Sequence, residues 1–233
     1  MSDARPAVTL DGVKKSFALS RGGALPVLDI EHLAVPAERC TVLTGRSGSG
    51  KTTLLNLIAG IATPTAGTVL VGDTDITALP EARRDRFRAA RVGYVFQTFN
   101  LLAAFSALEN VQLAMAFAET VRPRHQRARA RDLLARLGLA ERLTHRPAQL
   151  SRGEQQRVAI ARALANHPPL VLADEPCASL DAVTASTVLS AFLALCRDER
   201  ATLLLVSHDP AVLGASHQVL DIAALNQAGA GTA

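Results

Sequence analysis

The sequence has no apolar run of the length that a bilayer requires. The longest runs, around Leu54–Ala62, Leu170–Ala173 and Thr202–Val206, fall well short of the roughly 20 residues of a membrane-spanning helix. The first residues carry no apolar segment beside a small-residue cleavage site, so no export signal is predicted. We therefore expect a chain that does not span a membrane by itself and that stays in the cytoplasm.

Cysteine and concentrated charge are also scarce. Cys40, Cys177 and Cys196 stand at wide spacings, which fits reduced structural thiols and neither a disulfide framework nor a metal cluster. The net charge of +4 is compatible with nucleic acid or an anionic membrane face. Because the basic residues are scattered and nearly all are arginine in an alanine-rich chain, a general composition bias explains the charge better, and it predicts no partner.

The chain does have enough apolar material for a core. Its 233 residues are 48% hydrophobic, which suffices for one large domain. No internal repeat, low-complexity block or long linker interrupts it, although Gln227–Ala233 is typical of a frayed tail. We therefore treat residues 1–233 as a single domain.

Strand-like and helical segments follow one another in a definite order. Short strands are predicted around a glycine turn at Gly22–Gly23, as an antiparallel edge. These strands are Val8–Leu10, Val27–Ile30 and Leu33–Val35. Thr68–Ile76 predicts a hairpin and Val92–Phe96 a further strand. The stretch from about Phe99 to Leu164, rich in Ala, Leu and Arg, predicts a helical insertion, after which Leu170–Asp174 and Thr202–Ser207 predict buried parallel strands.

A glycine-rich loop joins the predicted strand Cys40–Thr44 to a helix. The run Gly45–Thr52 matches G-x-x-x-x-G-K-[ST], in which glycines let backbone N–H groups wrap a β-phosphate at a helix N-terminus. We expect Lys51 to reach the β- and γ-phosphate oxygens and the Thr52 hydroxyl to bind Mg²⁺. The predicted nucleotide contacts of this loop are Gly45, Arg46, Ser47, Gly48, Ser49, Gly50, Lys51, Thr52 and Thr53.

The loop and the strand order together predict the fold class. We predict an α/β P-loop NTPase with a RecA-like parallel core sheet, an N-terminal antiparallel β-subdomain and an inserted α-helical subdomain. Residues 1–97 and 165–233 are assigned to the core ATP-binding and β-subdomains, and residues 98–164 to the helical subdomain.

A second group of candidate residues lies at strand ends. Asp174 and Glu175 follow a buried strand, and α/β proteins bind ligands at the carboxyl ends of their strands. We expect Asp174 to orient Mg²⁺ or its water, and Glu175 to act as general base toward the water that attacks the γ-phosphate. His208 is a candidate for contacting the γ-phosphate from the opposite side of the site, with a structural histidine as the alternative.

The segment Leu150–Arg157, Leu-Ser-Arg-Gly-Glu-Gln-Gln-Arg, resembles the signature that distinguishes ABC ATPases from other P-loop enzymes. Ser151 and Gly153 stand where a helix begins, so the hydroxyl and free N–H groups can bind a γ-phosphate brought by another subunit. The usual signature reads Leu-Ser-Gly-Gly-Gln, and Arg152 and Glu154 depart from it. We include Glu154 with Ser151 and Gly153 among the nucleotide-binding residues.

The order of the motifs resembles the same family over nearly the whole chain. The resemblance implies that Gln97 contacts Mg²⁺ and the attacking water, and links the ATP site to the helical subdomain. It also implies a D-loop ending at Asp181, which contacts a second subunit, and makes His208 the switch histidine. Glu175, Gln97 and His208 are thus the predicted catalytic residues. Phe17 is the candidate for stacking on adenine, with a core phenylalanine as the alternative.

Three segments look like the lipoprotein-releasing and macrolide-exporter type of ABC ATPase, namely Phe96–Leu102, Ala107–Val111 and Gly48–Asn56. The resemblance implies an ATP-hydrolysing subunit that pairs with a second copy around two ATP molecules with Mg²⁺. It also implies a permease partner that holds the subunit at the inner face of the cell membrane, in export or lipoprotein release.

The main alternative is a soluble ABC ATPase that acts on nucleic acid or ribosomes. The interval from Gln97 to Leu150 is short and the chain holds one cassette, whereas such proteins carry long coiled coils or two cassettes. No nucleic acid partner is therefore expected. A P-loop kinase would leave the signature segment unexplained.

Overall fold

The computed structural model describes residues 5–19 and 22–228. The chain divides into two compact units: one takes in the chain up to Asp85 and from Leu204 onward, and the other is Arg86–Leu203. Among the described residues, no helix combines the length and the apolar character that crossing a bilayer requires. The predicted subdomain boundaries at residues 97 and 165 stay predictions.

The elements run along the chain in the following order. The first are β1 (Pro6–Ala18), β2 (Ala24–Pro36), β3 (Cys40–Thr44), α1 (Lys51–Ile58), β4 (Ala66–Val71), β5 (Thr74–Asp75), α2 (Glu81–Arg91) and β6 (Val92–Val95). Next come α3 (Ala107–Ala118), α4 (Pro123–Arg136), the short 3-10 helices Ala140–Arg142 and Pro147–Gln149, and α5 (Arg152–Leu164). The last are β7 (Leu170–Asp174), α6 (Ala182–Asp198), β8 (Thr202–Val206), α7 (Pro210–Ala215), β9 (Gln218–Asp221) and α8 (Ile222–Leu225).

An antiparallel sheet in the first unit confirms the predicted edge and hairpin. Strand β1 pairs with β2 on one side and β4 on the other, and β4 pairs with β5. The two segments predicted as Val27–Ile30 and Leu33–Val35 are one strand. Exposed Glu31 and His32 interrupt the apolar alternation in the sequence, but backbone pairing continues through them, with His32 opposite Asp11.

A parallel strand pair in the first unit supports the glycine loop. Strand β3 pairs with β9, Leu43 opposite Leu220, and Val42 and Leu43 are fully buried. Six residues separate Thr44 from the start of helix α1, which buries Leu54 and its neighbours. The loop between them is thus held at both ends by the core.

The second unit combines another parallel pair with helices. Strand β6 pairs with β7, Val95 opposite Ala173, and every residue of β7 is buried. Helices α3, α4 and α5 confirm the predicted helical stretch. Helix α5 packs closely against β6, because a Cβ atom at Gly93 would clash with the backbone carbonyl of Ala163. Helix α2 was not predicted, because its sequence lacks an apolar stripe. None of its residues is fully buried.

Candidate nucleotide-binding site

The phosphate loop has a backbone shape that only glycine adopts without strain. Gly45, Gly48 and Gly50 have φ values of 140°, 78° and 97°. Gly50 is the N-cap of α1, and no side chain caps that helix. A Cβ atom at Gly50 would lie 2.8 Å from Leu28 Cδ2 and 3.1 Å from the Val27 carbonyl oxygen. The loop therefore presents a helix start whose first N–H groups have no side-chain acceptor.

Two buried polar groups lie inside the same loop. Lys51 is 7% exposed, and its Nζ donates to the carbonyl oxygens of Gly45 at 2.6 Å and Arg46 at 2.8 Å. The Ser49 Oγ is buried and has no hydrogen-bond partner within the described chain, an arrangement that native proteins seldom leave without a ligand or water. A cation, a hydroxyl and an uncapped helix start at one place fit a polyphosphate.

Asn226, near the described end of the chain, secures the loop and was missed by sequence reasoning. Its Oδ1 accepts the Asp29 N–H at 2.8 Å, and its Nδ2 donates to the carbonyl oxygens of Val27 at 2.8 Å and Ser49 at 3.3 Å. One side chain therefore ties the loop to β2. These partners are separated from Asn226 by 177 to 199 residues, so no local sequence pattern indicates them.

The remaining predicted residues of the first unit lie near the surface. Phe17, at the end of β1, is 46% exposed, which excludes the alternative of a core phenylalanine. The Nζ of Lys15 lies 5.0 Å from the centre of its ring, a cation–π geometry that occupies one face. His208 is exposed and lies between β8 and α7. Of the loop residues, Arg46, Ser47, Gly48 and Thr52 are exposed and Thr53 is half-buried.

Three predicted residues of the second unit share one edge of its parallel strands. Gln97 follows β6 and Glu175 follows β7, and since Val95 pairs with Ala173, both lie at the carboxyl ends of neighbouring strands. Asp174 is 8% exposed. Burial, and to a smaller extent the charge of Asp174, raises the pKa of Tyr94. Glu175 has a φ of 43°, a left-handed conformation that is uncommon outside glycine and concentrates at functional sites.

The signature segment starts α5 with a capping box. Ser151 is the N-cap: its Oγ accepts the Glu154 N–H at 3.2 Å, and Glu154 Oε2 accepts the Ser151 N–H at 2.8 Å. The other carboxylate oxygen of Glu154 accepts from Arg142 Nε at 3.0 Å. Glu154 thus bonds within its own chain, and its predicted contact with nucleotide stays a prediction. Arg152, the other departure from the usual signature, is exposed.

Thr184 brings the signature segment and the predicted D-loop together. A Cβ atom at Gly153 would lie 2.6 Å from Thr184 Cγ2, so glycine is required by packing. The Thr184 N–H donates to Asp181 Oδ1 at 3.0 Å, which caps α6. This backbone hydrogen bond is the main reason that the pKa of Asp181 is lowered, and the exposed carboxylate stays charged at neutral pH.

The segment after Gln97 is held by two side chains that sequence reasoning did not assign. Arg162 of α5 donates to the carbonyl oxygens of Asn100 at 2.6 Å and Phe99 at 2.9 Å. Asn110, 1% exposed, accepts the Leu102 N–H at 2.8 Å and donates to neighbouring carbonyl groups. Helix α5, which begins with the signature, is therefore hydrogen-bonded to the segment that follows Gln97.

A groove of about 320 Å³ lies beside that segment, within the second unit. Its lining includes apolar side chains and arginines, among them Arg88, Phe96, Ala114, Phe117 and Arg162. The Phe117 side chain is 73% exposed, which is unusual for a large apolar residue in a concave surface.

Comparison with known proteins gives one family. The sequence profile of the ABC transporter family matches residues 28–178. Over 209 residues the chain is 44% identical to the lipoprotein-releasing system ATP-binding protein LolD 2 of Caulobacter vibrioides, covering 90% of each chain. It is 41% identical to the macrolide export ATP-binding/permease protein MacB of Syntrophobacter fumaroxidans, over 92% of this chain but only 30% of that protein.

Solved structures agree with the sequence matches. The dimeric ATP-binding cassette MJ0796, in a post-hydrolysis state bound to ADP and Pi, superimposes with a TM-score of 0.85 at 33% identity and covers 95% of both chains.

Proposed function

Since the chain belongs to the ABC transporter family, we propose that it is the ATP-hydrolysing subunit of a transporter. Two copies close around two ATP molecules and drive a separate membrane permease. The predicted family, its lipoprotein-releasing and macrolide-exporter branch, and the α/β P-loop fold are confirmed by the comparisons. The alternative of a soluble ATPase acting on nucleic acid is not favoured, because relatives that match most of this chain are named for transport.

The start of α1 is the observation that carries the proposal. Gly50 leaves the helix without a side-chain cap, and Lys51 and Ser49 place a buried cation and a buried hydroxyl in the same loop. A triphosphate supplies the acceptors that the uncapped N–H groups and the Ser49 hydroxyl lack, and its negative charge complements Lys51. The γ-phosphate is then reached by the signature segment of a second copy, where Ser151 begins α5. Because a two-fold axis makes each contact twice, the dimer holds two such sites.

The catalytic roles follow from the strand ends. Glu175 acts as general base on the attacking water, Gln97 orients that water, and His208 contacts the γ-phosphate. Glu175 leaves its strand in a left-handed conformation, which directs it differently from buried Asp174. Mg²⁺ prefers oxygen donors, and the side chains of Thr52, Gln97 and Asp174 would be the ones to provide them. When bound, this ion supplies charge neutralisation for the phosphate oxygens.

The subunit binds and drives its permease partner from the cytoplasmic side of the membrane, in export or lipoprotein release. The groove beside the segment after Gln97 is the surface that we assign to it, because exposed Phe117 gives it an apolar wall. Arg162 lines that groove and also holds Phe99 and Asn100. A permease segment in the groove would therefore be mechanically linked to the signature helix.

Glu175→Gln tests the proposed function. The variant is expected to bind ATP normally, to hydrolyse it about 10²–10⁴-fold more slowly, and to accumulate dimers in ATP that dissociate when ATP is removed. Glu31→Gln, the same change at an exposed residue of β2, is the matched control and should behave as the unmodified protein. Normal turnover in Glu175→Gln would remove Glu175 as the base, and absence of dimers would contradict the two-site assembly.

A further inference from the structure

Within the described residues, helices α3 and α5 both begin with a Ser-x-x-Glu capping box, and the two glutamates differ in one partner. At α3, Ser106 and Glu109 exchange the usual backbone bonds, and the Ser106 hydroxyl also donates to Glu109 Oε2 at 2.7 Å. At α5, the Glu154 carboxylate uses its second oxygen for Arg142 Nε, at 3.0 Å. Glu109 has no such arginine within hydrogen-bond distance among the described residues.

The pKa shifts of the two glutamates follow the same difference. The pKa of Glu109 is lowered by the backbone N–H of Ser106, then by the Ser106 hydroxyl, and least by the charge of Arg146, which makes no hydrogen bond to it. The pKa of Glu154 is lowered chiefly by the backbone N–H of Ser151, against a smaller opposing effect of burial, then by Arg142, and only after that by the Ser151 hydroxyl. Arg142 therefore replaces the serine hydroxyl as the leading side-chain partner of Glu154.

This replacement matters because a serine hydroxyl has one proton to donate. If Glu154 held it as Glu109 holds that of Ser106, the Ser151 hydroxyl could offer a phosphate oxygen only its lone pairs. An acceptor facing an anion is repulsive, whereas a hydroxyl donor to a phosphate makes a charge-assisted hydrogen bond.

Arg142 is well placed for this task. It ends the 3-10 helix Ala140–Arg142, where its N–H donates to the Leu139 carbonyl and its carbonyl accepts from His145 N–H, both at 3.0 Å. Its side chain is 44% exposed and that of Glu154 is 19% exposed, so the ion pair adds little to the stability of the fold. The effect of the ion pair is instead on the position of the Glu154 carboxylate.

We propose that Arg142 and Glu154 are positioning residues for the signature: Arg142 binds one oxygen of the Glu154 carboxylate and so weakens the hold of that carboxylate on the Ser151 hydroxyl, which can then donate to the γ-phosphate bound by a second copy. Glu154 thereby acts through Ser151 and not as a nucleotide contact. The inference rests on the proposed function, since it needs ATP to bridge two copies.

The test compares ATP-driven dimerisation in a Glu175→Gln background. Arg142→Ala should raise the ATP concentration for half-maximal dimerisation about 5- to 20-fold, the loss of one charge-assisted hydrogen bond at each site. Arg142→Lys keeps a cation beside Glu154 and should recover most of that loss. Nucleotide affinity of the monomer should stay within about twofold, because the phosphate loop is untouched.

Glu109→Gln is the matched control, because it alters the other capping box. Both Arg142→Ala and Glu109→Gln should shift the melting temperature by no more than about 2–4 °C, but only Arg142→Ala should impair dimerisation. Equal impairment by both variants, or unimpaired dimers in Arg142→Ala, would overturn the inference alone. If the parent Glu175→Gln protein forms no dimers with ATP, the proposed function fails and the inference fails with it.

Discussion

Helices α1 and α5 begin in opposite ways. Helix α1 starts at Gly50 in a left-handed conformation with no side-chain cap, whereas α5 starts at Ser151 with a complete capping box. An uncapped start leaves its N–H groups for a ligand, and it depends on backbone shape. In a capped start, side chains already accept from the first N–H groups, so its shape depends on those side chains. The two halves of the proposed site should therefore respond differently to substitution.

Substitutions in the first half of the site, the phosphate loop, should weaken binding of the nucleotide itself. Lys51→Ala removes the buried cation of the phosphate loop and should weaken ATP affinity of the monomer by about 10- to 100-fold, the range for a charged hydrogen-bonding group. Calorimetric titration of ATP measures this directly. Lys14→Ala, which removes an exposed partner of Asp29, should leave the affinity unchanged. An unchanged affinity in Lys51→Ala is incompatible with the role given to the loop.

Substitutions in the second half of the site, the signature segment, should weaken dimerisation and leave nucleotide binding unchanged. Gly153→Ala places a methyl group 2.6 Å from Thr184 Cγ2, so the start of α5 must shift, and ATP-driven dimerisation should fall about 10-fold. Thr184→Ser removes the opposing methyl group and should restore dimerisation in the double variant. A loss that persists in the double variant would show that Gly153 is needed for something other than this contact.

Substitution of Arg152 should have the smallest effect on either half of the site. It stands outside the capping box and is exposed, so its replacement removes little packing. Arg152→Gly should therefore keep ATPase activity within about threefold, in the range of surface changes without a structural role. A collapse of more than tenfold in steady-state turnover would give Arg152 a direct part in the second half of the site.

The difference between the helix starts also explains what the sequence predicted. The phosphate loop is recognisable residue by residue because three glycines and Lys51, which create its shape, stand together in one short run of the sequence. The antiparallel edge and the hairpin followed from short strand-like runs around turn residues, and the helical stretch from its content of Ala, Leu and Arg. Helix α2 was not predicted, because its sequence lacks an apolar stripe and none of its residues is fully buried.

The supporting side chains could not be predicted for a different reason. Asn226 holds the phosphate loop from 177 residues away, and Arg162 holds Asn100 from 62 residues away, so their partners are set by the fold. Glu154 was near enough to Ser151 for its S-x-x-E spacing to predict a capping box. The resemblance to the family signature led instead to a predicted nucleotide contact.

Mixing two inactive variants tests the central claim, that each site is built from the loop of one copy and the signature of another. Lys51→Ala and Ser151→Ala should each abolish most ATP hydrolysis alone. In an equal mixture, about half of the dimers carry one of each chain by random pairing, and one site of each such dimer has an intact loop facing an intact signature. The account predicts that hydrolysis returns on mixing. A mixture no more active than its two components would contradict it.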